Sequence, residues 1–381
     1  MKFTNKYVKG NKMNILQVNK LYYPHIGGIE TVIQDISEGL KTRADISVLV
    51  CQEKGKTKKE TINGVKVTRA SSLGVFSSMP VSFSFINLFK KMSKKADIIH
   101  LHLPFPLSDL ACLLSGYKGK VVVSWHSDIV KQKKLLKLYK PIMNALLKRA
   151  DCIIVATQGH IDGSQYLKPY ANKCKIIPYG INTKLYTKNN KKILTNKLFD
   201  KEDKKVLFIG RLVYYKGIEV LLEAFAHTYG SELFIVGKGP LERELLDLSM
   251  SLGIHDKVHF MGKLSDVELM EALEDCDIFV LPSVENSEAF GIVQMEAMAY
   301  GKPIINTCLN TGVPYVSING ETGITVEPRN ATQLSKAIKE LVENDEKRKK
   351  YGERAYELVR QKFEMKKVLN DLFELYEELT K

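Results

Sequence analysis

Two glutamates with seven residues between them, Glu288 and Glu296, stand in the run Pro282-Ser-Val-Glu-Asn-Ser-Glu-Ala-Phe-Gly-Ile-Val-Gln-Met-Glu-Ala-Met-Ala-Tyr-Gly301. The apolar stretch Asp277-Ile-Phe-Val-Leu-Pro282 before them reads as a buried strand ended by proline. From about Gly291 the spacing of Ile292, Met295 and Met298 is helical, so Glu288 lies on the loop before a helix and Glu296 inside it. On one helix the two carboxylates would point roughly 80° apart. With the first on the loop, both can face one ligand above the strand end. Between them, the amides of Phe290, Gly291 and Ile292 leave a helix N-terminus, a natural seat for a phosphate. Carboxylates that grip hydroxyls on either side of an anion seat suit a nucleotide sugar. The plainer alternative is a surface helix carrying solvated glutamates.

Three more clusters sit at strand ends. Leu21-Tyr-Tyr-Pro-His-Ile-Gly-Gly-Ile29 precedes a helix, and Gly27 and Gly28 allow a ligand close to the backbone there, unless the segment is a plain turn. Gly210-Arg-Leu-Val-Tyr-Tyr-Lys-Gly217 places Arg211 and Lys216, each beside a glycine, where they could clamp a diphosphate. Alternatively they are ordinary surface charges. Val121-Val-Val-Ser-Trp-His-Ser-Asp128 sends His126 out of a buried strand, with Asp128 close in sequence, although a lone histidine is commonly structural. Asp275-Cys-Asp277 has the spelling of a metal-binding Asp-x-Asp, but it precedes a buried strand and reads as the end of a helix, so no metal is assigned.

The elements that must position these groups alternate. Near-continuous apolar runs are expected as strands at Asn14–Asn19, Ile46–Cys51, Val65–Ala70, Asp97–His102, Lys120–Trp125, Cys152–Ala156 and Cys174–Pro178. Helix-period segments such as Gly28–Leu40 lie between them. The pattern restarts at Lys205–Ile209, Leu233–Val236, Val258–Met261, Ile278–Leu281, Pro303–Asn306 and Ile324–Val326. The fold class is therefore α/β, with two doubly wound, Rossmann-like parallel-sheet domains expected to face a central cleft. The expected division is residues 13–185, a polar linker at 186–204, a second domain at 205–362, and a C-terminal helix at 363–381 returning toward the first domain.

The chain has 381 residues and a formal net charge of +14, unevenly spread. Residues 1–190 hold 31 Lys and Arg against 11 Asp and Glu, leaving 26 against 32 for the remainder. A basic half points to nucleic acid, an anionic membrane or anionic substrates. No zinc-finger spacing or RNA-binding aromatic motif is present, so nucleic acid is set aside. Two basic amphipathic stretches, Val75–Lys95 and Lys131–Arg149, could lie on an anionic leaflet or simply pack on the sheet with their lysines in water. Six scattered cysteines form no CxxC pair and read as buried thiols of a reducing cytosol. The polar, basic Met1–Lys12 lacks the apolar core of a secretory signal, and no run is long enough to span a bilayer.

In this order, Gly-Arg-Leu-x-x-x-Lys-Gly and Ser-Glu-Ala-Phe-Gly-Ile with its second glutamate resemble the retaining glycosyltransferases of family 4, which have the GT-B fold. The resemblance runs from about Met13 to the C-terminal helix. It implies that Glu288 binds hydroxyls of the donor sugar and Glu296 the ribose. Arg211 and Lys216 would neutralise the diphosphate, with the amides around Phe290, Gly291 and Ile292. Gly27 and Gly28 would form a phosphate-side loop, and His126 would line the sugar beside the anomeric carbon. Met261-Gly-Lys-Leu264 matches where the family's backbone meets the base, which brings in Lys263 and Leu264.

The expected activity is metal-independent, retaining transfer of a hexose, with no cofactor beyond the nucleotide-sugar donor. GDP-mannose is favoured as donor over UDP-hexose or UDP-N-acetylhexosamine. The acceptor is expected to be a lipid-linked saccharide in cell-surface polysaccharide or O-antigen assembly, on the cytoplasmic face of the membrane. Rival readings are a sugar-nucleotide epimerase, a disaccharide synthase, a sugar-nucleotide-binding scaffold and an NAD-dependent oxidoreductase. The last lacks a Gly-x-Gly-x-x-Gly after the first strand, since Gly237-Lys-Gly239 has no third glycine.

Overall fold

A computed structural model describes residues 12–25, 27–76, 79–128, 133–186 and 203–381. The basic N-terminal stretch and most of the 186–204 segment lie outside the described residues. The chain divides into two compact units, residues 1–179 with 366–381, and residues 180–365. The division falls at Tyr179/Gly180, ahead of the polar segment, and the last helix belongs to the first unit.

In the first unit the order is β1 (Asn14–Val18), α1 (Gly28–Leu40), β2 (Asp45–Cys51), β3 (Lys58–Ile62), β4 (Val65–Ala70), β5 (Val75–Phe76) and β6 (Met79–Pro80). There follow α2 (Ser84–Ser93), β7 (Ile98–Leu103), α3 (Pro106–Leu114), β8 (Lys120–Trp125), α4 (Lys133–Arg149), β9 (Cys152–Val155), α5 (Gln158–Gly163) and β10 (Cys174–Ile176). The main sheet runs β10-β9-β8-β7-β1-β2-β4-β3 and is parallel except for the antiparallel edge strand β3. Side chains alternate across a strand, so each strand feeds two cores. Leu16, Leu101 and Val123 enter one, and Ile15, Ile98 and Val122 the other. The second face is covered by α1 and the last helix, through Ile33, Leu40, Leu372 and Tyr376.

The second unit contains β11 (Lys204–Ile209), α6 (Ile218–Phe225), β12 (Ser231–Val236), α7 (Glu242–Ser251), β13 (Val258–Gly262), α8 (Asp266–Asp275), β14 (Ile278–Leu281) and α9 (Ile292–Ala299). It continues with β15 (Ile304–Thr307), α10 (Val313–Val316), β16 (Gly323–Val326), α11 (Ala331–Glu343) and α12 (Asp345–Lys362); α13 (Met365–Thr380), the helix that belongs to the first unit, closes the sequence. Its parallel sheet is ordered β13-β12-β11-β14-β15-β16. The order reverses direction between β11 and β14, and a doubly wound sheet opens a crevice at the carboxyl ends of such a pair.

The two basic stretches fold differently. The stretch Val75–Lys95 is not one amphipathic helix: its first part is the β5–β6 hairpin, and only Ser84–Ser93 is helical. In α4, Tyr139, Met143, Leu146 and Leu147 enter the core, so the apolar side of this basic helix is largely spent on packing. Strand β3, Lys-Lys-Glu-Thr-Ile, is a polar edge strand and carries no apolar run to announce it.

Candidate active site

Most of the sequence-predicted groups of the second unit, from Arg211 and Lys216 to Glu288 and the start of α9, converge on the β11/β14 switch. After β11, Arg211 is exposed and unpaired among the described residues. A short 3₁₀ turn, Tyr214–Lys216, then carries Lys216, which is buried. Its ammonium lies 2.5 Å from the Glu288 carboxylate, and the Ser283 hydroxyl donates to the same oxygen at 3.0 Å. Burial pulls the Lys216 ammonium down, and Glu288 more than offsets this, so its pKa ends above the ordinary lysine value. The two loops are also tied through backbone, as the Val284 amide donates to the Tyr215 carbonyl at 2.8 Å.

Gly217 makes this approach possible. Its φ is +66°, and a Cβ there would lie 2.2 Å from the Pro282 carbonyl oxygen. Gly291, with φ +72°, caps α9 in the same left-handed region, where a Cβ would meet Leu281 at 2.5 Å. Helix α9 therefore begins directly over the end of β14, with Glu288 on the turn before it. The buried Gln294 holds this turn by donating to the Phe290 carbonyl and accepting from Asn306. First-turn amides of a helix have no intrahelical partner, so Gly291 and Ile292 keep the geometry of an anion seat. Glu296 lies within α9, where the Tyr186 hydroxyl donates to it at 3.3 Å. Burial raises its pKa, which Tyr186 opposes. Among the described residues, the side-chain partners of Glu288 are Lys216 and Ser283 and that of Glu296 is Tyr186.

Lys263 is exposed and Leu264 half-buried on the turn after β13, two strands from β11, before the Ser265–Glu268 capping box of α8. Asp275 ends α8, where the Lys205 ammonium reaches its carboxylate at 2.9 Å, and Asp277 accepts from the Lys205 amide.

In the first unit, Gly27 caps α1 and Gly28 begins it. A Cβ on Gly27 would lie 2.4 Å from a carboxylate oxygen of Glu30, so this N-terminus already carries negative charge from its own first turn. His126 follows β8 and is buried. Its Nε2 lies 2.9 Å from Nδ1 of His102, and its Nδ1 lies 2.6 Å from the Tyr179 hydroxyl. Asp128 is not its partner: that carboxylate accepts from Trp125 Nε1 and from Ser164. Burial pushes the His126 imidazole down to about 3, so it is neutral at ordinary pH.

Two families match in tandem. Residues 26–185 match Glycosyltransferase Family 4, and residues 189–358 match Glycosyl transferases group 1. D-rhamnosyltransferase WbpZ of Pseudomonas aeruginosa is 34% identical over 92% of this chain and 92% of its own. The chain belongs to glycosyltransferase family 4. The O-antigen chain mannosyltransferase C of Escherichia coli is 32% identical to this glycosyltransferase, over 96% of this chain and 98% of its own. Among solved structures, HepE of Anabaena in complex with UDP has a TM-score of 0.80 at 19% identity, covering 96% of this chain and 100% of that one. Sucrose-phosphate synthase of Thermosynechococcus elongatus has a TM-score of 0.78 at 21% identity, covering 97% of this chain and 99% of that one. The fold of the glycosyltransferase is thus GT-B.

Sequence reasoning missed Ser283, Tyr186 and Glu30, and with them the partners behind His126. One signal was available: His100-Leu-His102 alternates inside an otherwise apolar strand, which places both rings on one sheet face. Gln17, Tyr179 and Tyr376 come from distant segments and carry no local signal.

Proposed function

We propose that this glycosyltransferase moves a hexose, with retention of configuration, from a nucleoside-diphosphate sugar to a lipid-linked saccharide in the assembly of a surface polysaccharide of the O-antigen kind. The ion pair of Lys216 with Glu288, across the carboxyl ends of β11 and β14, carries this reading. It sets a cation for the diphosphate against a carboxylate for sugar hydroxyls at the switch point. Arg211 and the α9 amides add to the cationic side, and Glu296 takes the ribose. Gly27, with the Glu30 carboxylate leaning over it, suits a hydroxyl better than a phosphate, and Gly28 leaves open space beside it.

Negative charge develops on the leaving diphosphate as the bond from the anomeric carbon to its oxygen breaks. Lys216 and the helix amides are fixed in advance to meet that charge, and the exposed Arg211 can swing in to add to it. The acceptor oxygen bonds to the anomeric carbon on the same face, and the departing phosphate oxygen takes the acceptor's proton. Neither glutamate is then a nucleophile, and no metal is needed. The D-rhamnosyltransferase and the mannosyltransferase, each similar over more than nine-tenths of this chain, are named for mannose-series sugars, which favours GDP-mannose or its 6-deoxy analogue as donor.

The first unit is the membrane-facing one in this reading. Leu73, Phe76 and Phe83 are 70%, 76% and 80% exposed, and Val75 and Val81 are exposed beside them. The exposed Lys90, Lys91, Lys94 and Lys95 follow on α2 and the turn after it. Exposed apolar side chains on a unit this basic fit an anionic lipid surface, and this would hold the enzyme on the inner leaflet. No helix among the described residues is long and apolar enough to cross a membrane.

The direct experiment incubates the protein with radiolabelled GDP-mannose, UDP-hexoses and a lipid-linked saccharide, and assigns the new linkage by NMR. Retained configuration from one of these donors supports the proposal. Inverted configuration, or no transfer from any of them, would overturn it.

A further inference from the structure

His126 ends a buried chain of hydrogen bonds on the sheet face that α13 covers. Ser124 Oγ lies 2.7 Å from His100 Nε2, and His100 Nδ1 lies 2.7 Å from the Tyr376 hydroxyl. Gln17 Nε2 is 3.2 Å from that hydroxyl, and Gln17 Oε1 is 2.9 Å from His102 Nε2. His102 Nδ1 then meets His126 Nε2 at 2.9 Å, and His126 Nδ1 meets Tyr179 at 2.6 Å. His100, His102, Gln17 and Tyr376 are 1% exposed or less. Burial holds all three imidazoles far below the ordinary histidine range, so each is neutral, with one donor nitrogen and one acceptor nitrogen.

Only two proton arrangements satisfy every member of such a chain, and they differ in the orientation of the Gln17 amide. With Nε2 toward Tyr376, Gln17 accepts from His102 Nε2–H, His102 Nδ1 accepts from His126 Nε2–H, and Tyr179 donates to His126 Nδ1. Turning the amide over reverses all of these bonds. The distances choose between them, because hydroxyl donors sit about 0.2 Å closer than N–H donors. Both tyrosine hydroxyls are short to imidazole nitrogen, at 2.6 and 2.7 Å. Three of the four links expected to run through N–H are longer, at 2.9, 2.9 and 3.2 Å, and the fourth, from His100 Nε2–H to the Ser124 hydroxyl, is 2.7 Å. The reversed arrangement would require a hydroxyl donor at 3.2 Å and an imidazole donor at 2.6 Å.

We propose that Gln17, His102 and Tyr376 are positioning residues that lock His126 as its Nε2–H tautomer, so that Nδ1 receives a hydrogen bond from a substrate hydroxyl in the place the Tyr179 hydroxyl takes here. The last helix, through Tyr376, thereby acts on a strand-end histidine it does not touch. The substrate half of this rests on His126 facing the donor sugar; the tautomer does not.

Nitrogen NMR of the full chain labelled in histidine tests it, with the His126 ring assigned by the signals lost in His126→Gln. Wild type should show Nε2 protonated and Nδ1 bare across neutral pH. Tyr376→Phe keeps the ring and removes the anchor of the Gln17 amide. It should fold, show the Nδ1–H tautomer of His126 as well, and lose about tenfold in kcat/KM for the donor, the worth of one correctly presented hydrogen bond. Wild-type His126 protonated at Nδ1 would overturn the relay without any variant. So would a folded Tyr376→Phe protein whose His126 tautomer is unchanged. The expected tautomers in a chain that transfers no sugar would leave the relay standing and contradict the transferase reading instead.

Discussion

The Glu288 carboxylate lies 2.5 Å from the Lys216 ammonium, so the group assigned to sugar hydroxyls and the group assigned to diphosphate form one buried ion pair. Removing either charge leaves the other buried without its counter-charge, but a neutral isostere at Glu288 keeps the packing and an oxygen that can accept from the ammonium.

Glu288→Gln should therefore fold, keep the Ser283 contact and still bind nucleoside diphosphate, while kcat/KM for the intact donor falls. A hydrogen bond to a charged group is worth about 1.5–3 kcal/mol, or roughly 10- to 150-fold. Steady-state kinetics beside calorimetric titration of the nucleotide would show the split. Equal loss of nucleotide binding and transfer would remove Glu288 from the sugar side.

Gly217→Ala puts a Cβ 2.2 Å from the Pro282 carbonyl at a left-handed φ. The loops after β11 and β14 must then part, which should destabilise the protein by about 1–3 kcal/mol and lower transfer out of proportion to that loss. Urea unfolding with an activity assay measures both; a variant as stable and active as wild type would show that the loops need not meet this closely.

Acidification should destabilise the protein through its buried histidines. His100 and His126 are pushed down to about 3 and His160 to about 4 by burial, and His102 lies well below its ordinary 6.5. Their contribution is complete above about pH 6.5, the unfolded value, and is lost as pH falls toward the folded values. Each gives up to about 1.4 kcal/mol per pH unit in that window. Burial raises Asp35 to about 6 and Asp109 to about 7, and it also raises Asp128 and Glu296, so these carboxylates work in the opposite direction over the same range. All four imidazoles begin to lose stability at the unfolded value of about 6.5, and together they outweigh the carboxylates, of which only Asp35 and Asp109 are shifted far. The urea midpoint should therefore be lower at pH 5 than at pH 7.5. An equal or higher midpoint at pH 5 would mean that the imidazoles protonate in the folded protein.

Phe76→Ser with Phe83→Ser should weaken co-sedimentation with anionic liposomes at low salt and leave transfer to a soluble acceptor analogue unchanged. Undiminished liposome binding by the double variant would place membrane contact elsewhere.

The strands of both units are legible in the sequence because parallel strands buried on both faces are apolar at every position, as in Ile278–Leu281. The edge strand Lys58–Ile62 is not, because nothing buries it. In the site, Glu288, Lys216 and Gly291 are legible because strand end, glycine and charge are adjacent in the chain. That Lys216 pairs with Glu288 is not, since the two lie on loops 72 residues apart that only the order β11-β14 brings together. The partner of His126 illustrates the opposite error: Asp128 is close in sequence but turned to Trp125 and Ser164, and His102 comes from the neighbouring strand.

The most direct test of the donor site is the melting temperature of wild type and Lys216→Ala with saturating GDP, UDP or other nucleoside diphosphates. Binding at about 100 times the dissociation constant adds about 2.7 kcal/mol to wild-type stability, a rise of a few degrees. One nucleotide should produce that rise in wild type and little or none in folded Lys216→Ala. An equal rise in both proteins, or none in wild type with any nucleotide, would contradict the placement of the diphosphate at the β11/β14 switch.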